Sequence, residues 1–101
     1  MTSGRYRFAA QLWEHDGQAA WHFVSLPEKL ADEIEESHGH RARGFGSVRV
    51  EVTIGDTCWR TSIFPDSKKG TYVLPVKKLV RVAEGLSDGS TARVELVVIA
   101  D

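Results

Sequence analysis

Trp13, Trp21 and Trp59, together with Arg60, Lys77 and Lys78, are the side chains of this 101-residue sequence best suited to recognition chemistry. Indole rings offer broad apolar faces, and cations at the edge of an aromatic-lined cavity suit an anion. On that pattern the six form a candidate set for binding a small anionic ligand. The competing role for the tryptophans is packing, because large aromatics carry much of the energy of a small core and could fill a barrel or shield its ends.

Other reactive residue types give weaker patterns. His38-Gly39-His40 could offer two imidazoles to one metal, but no third ligand follows by spacing, and a histidine at a helix C-terminus is equally suited by the helix dipole. No metal site and no cofactor are expected. Cys58 is the sole cysteine, so an intrachain disulfide is excluded. Beside Trp59 on an alternating strand it reads as a buried small hydrophobe, since an activated thiol needs an exposed, electropositive setting. Thr61 and Ser62 have no G-x-S-x-G elbow around them. An enzyme would therefore need residues converging from separate strands around a Trp-lined cavity, and no catalytic residue is assigned.

The elements that must position these side chains follow from periodicity. Arg5 to Glu14 alternates, with Tyr6, Phe8 and Leu12 on one side and Ala9 and Trp13 on the other, and reads as a strand. Asp16-Gly17 is a hairpin signal, and Ala20 to Val24 is the return strand. Ser25 and Glu28 have the S-x-x-E spacing of a capping box. The helix they open is expected to bury Leu30 and Ile34, present Asp32, Glu33, Glu35 and Glu36 to water, and end at Gly39. Arg41 to Gly46 reads as a basic, glycine-rich loop. Val48, Val50, Val52 and Ile54 give the cleanest strand, Gly55-Asp56 the turn, and Thr57 to Phe64 its partner. Residues 65–70 read as a breaker-rich loop. Val76, Leu79, Val80 and Ala83 recur at helical spacing, with Pro75 in the first turn and Gly85 as a left-handed stop over which Leu86 folds. Ala92, Val94, Leu96 and Val98 then alternate as a last strand.

The two halves run in parallel. Leu26-Pro27 and Leu74-Pro75 each end a strand and open a helix, 48 residues apart, while the Arg-Val-Glu triplets at Arg49 and Arg93 stand 44 apart. This suggests a pseudo-repeat with units near residues 20–56 and 70–101 inside a single domain spanning residues 1–101. The blocks FAAQLWE, GQAAWHFVSLP, IGDTCWRTSIFP and GTYVLPVKKLVRVAEGLSDGSTARVEL resemble the small bacterial domain-of-unknown-function family nineteen-oh-five, often found with YdeI/OmpD-associated domains. Asp88-Gly89-Ser90 and the Arg43 to Ser47 segment depart from the family pattern in loops. The resemblance implies a mainly β fold, a small double-split β-barrel of about six strands with two short helices, similar to AbrB- and MazE-type domains. It implies no established activity.

Composition bounds the function classes. A formal net charge of −1 argues against strong nucleic-acid binding, although residues 41–101 are basic and residues 1–40 acidic. Lys68, Lys69, Lys77, Lys78 and Arg81 are the nearest approach to a basic patch, interrupted by Asp66, Glu84 and Asp88. No apolar run reaches membrane-spanning length, and the polar start lacks a secretory signal pattern, so a cytoplasmic location is expected. The reading is a binding module for a small anion or a protein partner, monomer or homodimer, because open barrel edges would invite pairing. A weak nucleic-acid-binding or regulatory domain of AbrB-like architecture and an enzyme of unknown reaction are the alternatives.

Overall fold

Val48, Val50, Val52 and Ile54 are all buried, as their alternation requires, and they form one stave of a closed barrel. The computed structural model describes residues 5–15, 21–38 and 46–99. Its elements are β1 (Arg5–Glu14), β2 (His22–Ser25), α1 (Glu28–His38), β3 (Val48–Ile54), β4 (Thr57–Asp66), β5 (Thr71–Pro75), α2 (Lys78–Glu84) and β6 (Thr91–Val98). The strands close in the order β1-β2-β5-β4-β3-β6, and every neighbouring pair is antiparallel. The fold is thus mainly β, a six-strand barrel with two helices. Closure leaves no open sheet edge along this circuit, which removes the edge pairing expected to drive association. Neither described helix is long and apolar enough to cross a membrane.

The core is built from inward positions of all six strands, including Leu12, Val24, Val52, Ile63, Leu74 and Leu96. Both helices pack onto it by few residues. α1 buries Ala31 and Ile34, while Leu30 is only half-buried. The α1 range places the N-cap position at Pro27, and the Ser25 hydroxyl, back in β2, accepts the Trp13 indole N–H at 2.9 Å. α2 starts three residues later than the proline suggested: Pro75 closes β5, Lys77 is the N-cap, and Val80 is the helix residue that is buried. Leu79 and Ala83 are exposed. Gly85, at φ 66°, ends the helix as expected, with the Leu86 N–H reaching the Arg81 carbonyl at 2.9 Å. β4 continues through Pro65 to Asp66, so the expected loop shrinks to the turn after it. The Asp16-Gly17 hairpin, Gly39 and the Arg41 to Phe45 segment lie outside the described residues.

The ladder registers share an internal two-fold relation. Ser25 pairs with Val73 and Val52 with Leu96, offsets of 48 and 44, the same offsets that separate the prolines and the Arg-Val-Glu triplets. The same operation carries β1 onto β4: the pair Tyr6 with Leu96 becomes Trp59 with Val52, and Leu12 with Val24 becomes Pro65 with Tyr72. All six ladders fit one operation that exchanges β1-β2-α1-β3 with β4-β5-α2-β6. Tyr6 and Trp59 therefore occupy equivalent places.

Tyr72 fastens α1 to the barrel, its hydroxyl donating to Glu35 Oε1 at 2.7 Å. Burial, then the bond and charge of Glu35, push the Tyr72 hydroxyl well above its usual value of 10.0. The fold thus favours the neutral phenol, so this contribution is complete below pH 10 and is lost as pH rises above it. Denaturant unfolding of Tyr72→Phe should show about 0.5–1.5 kcal/mol less stability at pH 7. Its decline above pH 10 should be shallower than that of the wild type. A slope as steep as wild type would show that Tyr72 does not carry the alkaline loss; Tyr6, raised by burial and by Glu33, contributes a smaller decline of the same sign.

Candidate functional site

α2 stands off β4 far enough to leave a cleft of about 520 Å³, closed on one side by the residues around the start of β2 and the end of β5. Its lining is Trp21, His22, Trp59, Arg60, Thr61, Phe64, Pro75, Val76, Lys77, Lys78 and Arg81. Strand alternation explains the β4 wall. Trp59 and Thr61 share the inward parity of Ile63, whereas Arg60 and Phe64 share the outward one. Trp59 packs against the core, and Arg60 lies 3.7 Å from Glu51 across the ladder to β3. Trp21, 57% exposed, stacks on Phe23 with centroids 6.2 Å apart, and Phe64 is 43% exposed.

The opposite wall is cationic because the first turns of α2 face it. Val80 anchors the helix underneath, and Glu84 fixes its far end by accepting from the Asp56 N–H at 3.2 Å and the Thr57 hydroxyl at 2.7 Å. Arg81 is held back toward the helix start by its Nε donating to the Val76 carbonyl at 3.2 Å. Four cations, Arg60, Lys77, Lys78 and Arg81, thus line the cleft, and no carboxylate does so among the described residues. Among the described residues neither lysine has an ion-pair partner. The arrangement offers flat apolar faces on one side and uncompensated positive charge on the other.

Of the six residues singled out by type, Trp21, Trp59, Arg60, Lys77 and Lys78 meet in this cleft, and Trp13 does not. Trp13 is on the outer face of β1, its ring 5.2 Å from Phe23 and capped by the Lys69 ammonium at 3.7 Å. Lys69 is thereby separated from the basic patch in which sequence had placed it. None of the three tryptophans fills the barrel outright; only Trp59 packs on the core from an inward position. Cys58 is exposed, because the alternation that turns Trp59 inward turns its neighbour outward. The His38 and His40 side chains lie outside the described residues; no group of three metal-ligating side chains occurs among the described ones. His22, Thr61, Phe64, Pro75, Val76 and Arg81 are the lining residues outside that set. Arg81 was discoverable, standing three and four residues after Lys78 and Lys77 on one helix.

The internal two-fold explains why this side of the barrel opens. The operation that relates the strands sets Tyr6, Arg7 and Phe8 where Trp59, Arg60 and Thr61 stand. At the first place Phe8 packs on the core; at the second the smaller Thr61 lines the cleft. One strand position thus carries a phenylalanine packed on the core in one half and a cleft-lining threonine in the other. Residues 8–96 match the family described as Domain of unknown function (DUF1905). No curated protein matches the chain.

Proposed function

The chain belongs to the family of domains of unknown function DUF1905, and we propose that this member is a binding module whose α2–β4 cleft takes a small organic anion with an apolar body. One observation carries the reading: among the described residues, four cations and no carboxylate line a cleft that also presents Trp21, Trp59 and Phe64. Burying a charged ligand group is costly unless it is paired, and among the described residues no carboxylate has to be displaced from Lys77 or Lys78. The volume of about 520 Å³ lies in the range of roughly 300–1,000 Å³ typical of small-molecule sites.

Tryptophan fluorescence tests this with 2-naphthoate as the probe, since Trp21 and Trp59 both face the cleft. Saturable quenching is expected for the wild type, and Lys77→Glu/Lys78→Glu should weaken it tenfold or more. Both lysines are exposed, so the thermal midpoint should hold. Absence of saturable quenching, or equal affinity in the charge-reversed variant, would sink the reading.

A further inference from the structure

Resting on that reading, we infer that the ligand is a phosphate ester borne on a flat ring, with a nucleoside monophosphate as the simplest instance. The argument is one of charge and count. A carboxylate would bring a single negative charge to a wall holding Lys77, Lys78 and Arg81, with Arg60 across from them. Like charges this close repel one another until an anion arrives, and one carboxylate leaves most of that repulsion in place. A phosphate monoester carries about −1.5 to −2 charges at neutral pH and three strong acceptor oxygens, matching three cationic side chains on one helix approach.

The other wall chooses the body of the ligand. Trp21 and Phe64, both exposed large apolar side chains, stand on the β side of the cleft. A ring system stacked there covers apolar surface that water now meets, and every base offers a flat face for such stacking. Thr61 supplies depth: in the other half the larger Phe8 occupies the equivalent strand place and packs on the core. A nucleotide could reach the cleft free or as one unit of a single strand, the chemistry being the same.

Titrations of the full chain with adenosine monophosphate, adenosine, 2-naphthoate and a thymidine tetranucleotide separate the outcomes. Adenosine monophosphate should bind at least tenfold tighter than adenosine and than 2-naphthoate. Arg81→Gln should erase most of that advantage, while Thr61→Phe, which copies Phe8, should abolish binding of both anions and leave the fold intact. If 2-naphthoate equals or exceeds the nucleotide, the phosphate assignment is wrong and the organic-anion cleft stands. If no probe binds, both readings fall. Tighter binding of the tetranucleotide than of the mononucleotide would support the phosphate class with a single strand as its source; equal or weaker binding would support the free nucleotide.

Discussion

Leu96→Ala is expected to lower the free energy of unfolding by about 2–5 kcal/mol, the usual cost of truncating a fully buried leucine. Leu96 is 0% exposed and faces Val52 in the register pair on which the internal two-fold turns. Its side chain therefore packs where both halves meet, and neighbours from two staves cannot collapse into the space without distorting the ladders on either side. In a domain of this size the thermal midpoint should fall by roughly 10 °C or more. Leu79→Ala is the matching control. Leu79 is 76% exposed on α2, so its truncation should stay within about 0.5 kcal/mol. Equal losses from the two variants would contradict the placement of α2, and a small loss from Leu96→Ala would contradict closure of the barrel around it.

That pair of leucines also shows where sequence is informative. Leu96 lies in an alternating strand, and alternation needs only one geometric fact, that neighbouring side chains point to opposite faces. The strands of residues 5–14 and 48–54 were accordingly legible to the residue. Leu79 was misplaced because a four-position helical pattern holds only if all four residues belong to the helix. Val76 precedes the N-cap, so the burial it shares with Val80 comes from the chain's approach to the helix, and the expected apolar face loses two of its members. Cys58 failed for a related reason: its type suggested burial, while its parity beside an inward Trp59 dictated exposure.

The cleft was legible in its ingredients and not in its boundary. Residue types named five of its lining side chains, but Trp21, Trp59 and Lys77 come from three segments that only ladder registers bring together. Trp13 illustrates the converse. Its type matched its two fellows, yet its outward parity on β1 gives it to Ser25, Phe23 and Lys69. The two offsets of the halves, visible in the sequence, carried more than they first conveyed. They coincide with register pairs on a two-fold, and comparison across it sets the cleft-lining Thr61 against the core-packed Phe8.

Gly55 and Glu84 should behave as one unit that holds α2 in position. Gly55 turns β3 into β4 at φ +59°, and a Cβ there would overlap the Glu84 carboxylate. Gly55→Ala therefore meets two costs: left-handed backbone for an L-residue, about 1–2 kcal/mol, and displacement of the carboxylate from the Asp56 N–H and the Thr57 hydroxyl. Those bonds contribute about 1–2 kcal/mol in this partly exposed setting. Gly55→Ala alone should cost about 2–4 kcal/mol and Glu84→Ala alone about 1–2 kcal/mol. Once Glu84 is truncated, the added Cβ meets no carboxylate, and only the backbone term remains. The double variant should thus be less destabilised than the two single losses combined, by about 1 kcal/mol, in a denaturant-unfolding cycle of the four proteins. Additivity within about 0.3–0.5 kcal/mol would mean that the carboxylate moves aside freely and does not tether the helix. The cycle bears on the cleft as well. Glu84 pins the last turn of the helix whose start carries Lys77 and Lys78, so Gly55→Ala and Glu84→Ala should weaken anion binding alike although neither residue lines the cleft.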